Sequence, residues 1–135
     1  MSTVLVFGTF DLLHPGHASF LKQAREHGDK LVASVARDQF VRDYKGREPV
    51  HSQNERIEKL MSSGLVDEAR LSDVKRGSYT VIEDVKPDVV CVGFDQHALA
   101  TDLQRWASEH GHNIQIVVLS PFKPEKYKTS RLMGN

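Results

Sequence analysis

Short β-branched apolar runs alternate with helix-patterned segments along the length of this chain. Strands that are apolar almost throughout need cover on both faces, which predicts a parallel sheet with helices packed on either side. The first strand reads as Thr3–Phe7 (TVLVF), closed by Gly8. A loop follows, and then a helical pattern from Pro15 to about His27 in which Phe20, Leu21 and Ala24 share a face and Gly28 ends the helix. Leu31–Val35 (LVASV) is the next strand, so the opening third is expected to form a right-handed βαβ unit.

The alternation continues. Ser52–Ser62 reads as a helix carrying Ile57, Leu60 and Met61, Val66–Leu71 as a short strand and Tyr79–Val85 as a helix, with Gly64, Gly77 and Pro87 as punctuation. Asp88–Val92 and Ile114–Leu119 are strand-like and flank a helix over His97–Glu109 with Leu99, Leu103 and Trp106 on one side. The expected architecture is a Rossmann-like, doubly wound α/β sheet of about five parallel strands. With 135 residues and no repeat or linker that divides them, residues 1–135 are expected to form one domain.

Composition matters here for what it excludes. Lys plus Arg and Asp plus Glu each number 18, so no global field draws in nucleic acid, and any anion site has to be local. A single cysteine, Cys91, rules out an internal disulfide framework and fits a reducing, cytoplasmic setting. No apolar stretch approaches the length of a bilayer span, and no export signal is read at the start, so no membrane partner is expected.

In an open α/β sheet the active crevice lies beyond the C-terminal strand ends. After the first strand comes Gly8-Thr9-Phe10-Asp11-Leu12-Leu13-His14-Pro15-Gly16-His17, a loop that runs into a helix N-terminus. The unpaired amides and dipole there favour a polyphosphate. Histidines 14 and 17, on the first helical turn, can face one way and each offer an N–H to phosphate oxygens, while Gly16 keeps the surface free of a side chain. Read without that context, His14 would be a cap-like loop residue, Pro15 a helix starter and His17 a surface histidine.

The segment GTFDLLHPGH resembles the HxGH signature of the cytidylyltransferase-like nucleotidylyltransferase superfamily. The resemblance implies transfer of a nucleoside monophosphate from an NTP to a phosphorylated acceptor, with pyrophosphate released and no covalent enzyme intermediate. It implies backbone contacts from Gly8, Thr9 and Phe10 to the triphosphate, with His14 and His17 bracketing the α- and β-phosphates. Magnesium would enter with the NTP. Relatives also suggest a homodimer.

Further along, Val35-Ala36-Arg37-Asp38 and Lys45-Gly46-Arg47-Glu48-Pro49 look like the family's loop that delivers a lysine to the phosphates, with Lys45 at the matching position. The other reading is an exposed basic loop. Arg56 resembles a phosphate-contacting helix arginine of relatives, or is an ordinary surface arginine. Together His14, His17, Lys45 and Arg56 are the candidate catalytic residues. Gly93-Phe94-Asp95-Gln96 resembles the family's G-x-D segment, which places Gly93, Asp95 and Gln96 against the nucleotide, and Asp95 also suits the N-cap of the next helix. Tyr127, Thr129 and Ser130 match the Ser/Thr-rich third signature, with hydroxyls for the β- and γ-phosphates. The remaining histidines, His27, His51, His97, His110 and His112, form no metal-ligand set with the first two.

Two branches compete for the substrate pair. The length and GTFDLLH-x-GH fit a CTP-using cytidylyltransferase acting on glycerol 3-phosphate. Residues 35–38, 45–49 and 93–96 lean toward an ATP-using FMN adenylyltransferase of the archaeal FAD synthase type. A non-catalytic nucleotide-binding domain is the reading from another class, and the complete set of phosphate-facing residues argues against it.

Overall fold

The computed structural model describes residues 2–75 and 77–121, which form a five-stranded, all-parallel sheet in the order β3-β2-β1-β4-β5. Strand β1 (Thr3–Gly8) leads into α1 (Pro15–Arg25) and β2 (Lys30–Val35); α2 (Asp38–Lys45) and α3 (Gln53–Ser62) precede β3 (Glu68–Leu71). The chain then runs through α4 (Thr80–Val85), β4 (Val89–Val92), α5 (His97–Glu109) and β5 (Gln115–Val118). The Rossmann-like α/β architecture is the one the apolar alternation predicts.

Period-two alternation divides the core into two layers. Val4 and Val6 of β1 face a cluster with Leu21 and Ala24 of α1, Leu60 of α3 and Cys91 of β4. Leu5, one residue out of phase, faces Val81 and Ile82 of α4 and Leu103 and Trp106 of α5. Met61, expected on the apolar face of α3, is exposed, and the residue that turns inward one turn away is Arg56.

The largest departure from expectation is α2. The sequence after β2 resembles a loop, yet Asp38–Lys45 is helical, ending at Gly46 in the left-handed region at φ 68°. Phe40, Val41 and Tyr44 fall at helical spacing along it, but only Val41 is buried, with Phe40 half-buried and Tyr44 exposed.

Sheet order fixes where a ligand can sit. From β1 the chain moves to β2 and β3 on one side, and then crosses to β4 and β5 on the other. The switch point therefore lies at the C-terminal ends of β1 and β4.

Candidate active site

The loop leaving β1 is tightly determined. A Cβ placed on Gly8 would lie 2.7 Å from two carbons of the Phe10 ring, so this position has no room for a side chain. Phe10 sits at φ 53°, a conformation that costs an L-residue about 1–2 kcal/mol. Its ring is 4% exposed and packs edge-on to His17, with centroids 5.6 Å apart, and tilted against Phe20. Burying a ring of that size contributes about 1.5–3 kcal/mol, enough to hold the backbone there. Phe10 thus anchors the loop through its side chain.

At the start of α1 the two histidines form the helix cap. His14 is the N-cap: its Nδ1 accepts the Gly16 N–H at 3.1 Å, and His17 Nδ1 accepts the His14 backbone N–H at 3.3 Å. This is a reciprocal capping box with imidazoles in place of the usual hydroxyl and carboxylate. An Nδ1 that accepts carries no proton, so in each neutral ring the proton sits on Nε2. The rings stack with centroids 3.8 Å apart and planes 22° from parallel at the positive end of α1. Burial, with the neighbouring His14 and Lys45 charges and against Asp11, pushes the His17 imidazole down to about 4. His17 is accordingly neutral at pH 7 and acts as a hydrogen-bond donor without net charge.

Lys45 ends α2, and its Nζ donates to Thr9 Oγ1 at 2.8 Å. Burial, aided by the Arg47 and Arg56 cations, lowers its ammonium from the ordinary value while Asp95 and Asp11 pull the other way. The lysine is brought to the histidine loop by the last residue of a helix, where a loop is expected from the sequence.

Arg56 departs from its expected role. Its side chain is fully buried and satisfies three protein acceptors: His51 O from Nε at 3.1 Å, Thr9 O from Nη1 at 2.8 Å and Asp38 Oδ1 from Nη2 at 2.7 Å. A guanidinium engaged in this way is not presented to a phosphate. It ties the β1–α1 loop to the starts of α2 and α3.

Asp11 does parallel work that its place in the sequence does not announce. Its carboxylate accepts the Val50 N–H at 2.7 Å and the His51 N–H at 3.1 Å, and Arg47 Nη1 lies 3.7 Å away. Burial opposes ionisation, yet the two backbone donors and the Arg56 and His51 charges outweigh it and hold the carboxyl below its usual value. The signal available was an aspartate in a glycine-led turn, but its partners lie some 40 residues on, beyond the reach of local pattern.

On the other side of the switch point, Gln96 bridges the strand ends: Oε1 accepts the Gly93 N–H at 2.8 Å and Nε2 donates to Phe7 O at 3.2 Å. Its side-chain amide serves the protein here, and Gln96, not Asp95, is the N-cap of α5, with no side-chain cap bond. Asp95 is exposed, within electrostatic reach of Lys45. Cys91, in the middle of β4, is fully buried, and burial pushes its thiol up to about 11, which leaves it inert at neutral pH. Tyr127, Thr129 and Ser130 lie outside the described residues. Among the described residues no three His, Cys, Asp or Glu side chains converge to hold a metal ion, and no helix is long and apolar enough to cross a membrane.

Comparison with known proteins agrees with this geometry. The cytidylyltransferase-like family model matches residues 5–132. The FAD synthases of Thermococcus onnurineus and Pyrococcus horikoshii are each 37% identical over 131 residues, which is 96% of this chain and 87% and 88% of theirs. A crystal structure described as the lipopolysaccharide core biosynthesis protein from Thermoplasma volcanium superposes with a TM-score of 0.84 at 33% identity, covering 91% of this chain and 99% of that one. Pantothenate synthetase from Thermus thermophilus shares the fold alone, at a TM-score of 0.63 and 16% identity over 93% of this chain and 58% of that one. The chain belongs to the cytidylyltransferase-like family and is a nucleotidyltransferase.

Proposed function

We propose that this chain is an FMN adenylyltransferase: a phosphate oxygen of FMN attacks the α-phosphorus of ATP, the bond to the β-phosphate oxygen breaks, and FAD and pyrophosphate are formed. The observation that carries this reading is the relationship to FAD synthases, which extends over nearly the whole chain and not over one motif. The same relatives do not favour the CTP-using alternative or a non-catalytic domain.

The site has the parts such a transfer needs. Two Nε2–H donors at a helix N-terminus can stabilise charge that develops on the α-phosphate and the leaving pyrophosphate. The Lys45 ammonium, next to Thr9, adds a compact positive charge. In-line displacement between two phosphates asks for positioning and charge stabilisation and no protein nucleophile. Gly8, Thr9, Gly16, Gly93 and Asp95 line the loop ends where the triphosphate would lie. Magnesium is proposed as part of the MgATP substrate. A homodimer in a reducing cytoplasm completes the proposal.

The test is product analysis with purified protein, ATP or CTP, and FMN or glycerol 3-phosphate. FAD and stoichiometric pyrophosphate from ATP and FMN alone are expected. Turnover of CTP with glycerol 3-phosphate and none with FMN would overturn the assignment.

A further inference from the structure

Helix α2 has little core to hold it. Val41 is its one buried side chain, and its half-buried Phe40 packs on its own exposed Tyr44, with ring centroids 4.9 Å apart. Polar ties hold its two ends instead. At the start, the Asp38 carboxylate receives the Arg56 guanidinium at 2.7 Å, and the Asp38 N–H donates to Gln53 Oε1 at 2.8 Å. Past the end, Asp11 Oδ2 and Oδ1 accept the Val50 and His51 amides. Lys45, the last residue of α2, lies between these ties with its Nζ on Thr9 Oγ1.

Asp11 is committed to the protein. Its side chain is 6% exposed and each carboxylate oxygen already accepts a backbone N–H, so it is not an oxygen donor to a substrate. Thr9 and Asp11 flank Phe10, whose buried ring fixes that part of the loop. One short, rigid stretch therefore receives both the Lys45 ammonium and the segment that carries the chain away from it. The same carboxylate, with Asp95, offsets the Arg47 and Arg56 charges that weigh on the ammonium.

Resting on the nucleotidyl-transfer reading of Lys45, we infer that Asp11 is the positioning residue for this lysine: by holding the chain that leaves α2, it keeps the ammonium at the histidine loop, where phosphate charge develops. A helix end with one buried side chain behind it would otherwise swing, and its lysine would lose the alignment on which charge stabilisation depends.

The experiment is a double-mutant cycle on kcat for pyrophosphate release from ATP and FMN, with wild type, Asp11→Asn, Lys45→Ala and the double variant. Asparagine has one carbonyl oxygen, so one of the two amides loses its acceptor and meets an NH2 group. Asp11→Asn should lower kcat about tenfold, comparable to Lys45→Ala, and the double variant should be no more than about twofold slower than Lys45→Ala alone. Amide exchange at Val50 and His51 should rise about tenfold while α1 keeps its protection. Losses that multiply in the double variant would overturn the inference, because Asp11 would then act through something other than Lys45. So would wild-type kcat in Asp11→Asn or Lys45→Ala, or loss of protection throughout α1, which marks general loosening of the fold. Asp11→Ser, smaller and also limited to one acceptor oxygen, is run in parallel. Unfolding of both Asp11 variants would assign the carboxylate to the fold as a whole and overturn the inference too. If the wild type makes no FAD, the proposed function fails, and the cycle is run on the NTP and acceptor that product analysis identifies, where the same outcomes decide.

Discussion

The guanidinium of Arg56 donates to the carbonyl oxygen of Thr9 at 2.8 Å from a fully buried side chain, so the loop under the histidine pair hangs from a residue 47 positions away. Removing Arg56 strands that carbonyl together with His51 O and the carboxylate of Asp38. Arg56→Ala should cost about 3–5 kcal/mol in urea unfolding, as breaking a buried pair does. Arg56→Lys should recover only part of this, because one ammonium cannot serve three acceptors in a plane. A phosphate-contacting arginine would give the opposite pattern, with stability intact and kcat reduced.

The capping and chemical roles of His14 can be separated. Asparagine is a good N-cap but does not place a donor where imidazole Nε2 stands. His14→Asn is expected to unfold within about 0.5 kcal/mol of wild type and to lose about two to three orders of magnitude in turnover. His14→Ala should lose both turnover and about 1 kcal/mol of helix stability. Near-normal pyrophosphate release from His14→Asn would remove the histidine from the mechanism.

His17 predicts a pH dependence with a definite sign. Its folded value of about 4 lies below the ordinary 6.5, so between these limits the unfolded chain binds the proton and the native chain does not. The stability associated with His17 is complete above about pH 6.5, declines as pH falls toward 4 and is level below that. An NMR titration should place the His17 ring midpoint near 4, and His17→Gln should flatten this part of the stability curve. A midpoint near 6.5 would show that the ring is neither buried nor flanked by cations.

Lys45 is presented by a helix end, and its effects should follow from that. Lys45→Ala is expected to lower kcat about tenfold or more with a smaller change in KM for ATP, if the ammonium meets mainly charge that develops in the transition state. Gly46 caps that helix at φ 68° with open space around it, so Gly46→Ala should cost about 1 kcal/mol from backbone conformation alone. Gly46→Asn should cost less. Equal loss for both would mean that the space, and not the dihedral, is limiting.

Strands follow from signals a few residues long, which is why Thr3–Phe7 and Leu31–Val35 can be read from β-branched runs to within a residue of the strands observed, whereas the order β3-β2-β1-β4-β5 appears only in the folded chain. The histidine pair is legible for a similar reason: cap, Pro15 and helix are contiguous. What could not be read depends on distance. Helix α2 is only eight residues long, so its stripe of Phe40, Val41 and Tyr44 is too short to stand out beside a lysine-bearing loop pattern. Arg56 looks like any polar position of α3 until Asp38 and Thr9 are seen beside it. Asp11 gains its meaning from amides that only the folded chain brings to it.

The fully buried thiol of Cys91, on β4 between β1 and β5, has a practical consequence. A maleimide or aromatic disulfide meets no other sulfhydryl in the chain and can reach this one only when the layer that holds α1 and α3 opens from the sheet. Modification rates in dilute denaturant therefore record the opening of that layer as a single-site signal, without any engineered label. A ligand that slows the modification reports its own binding free energy, even when it leaves no optical trace.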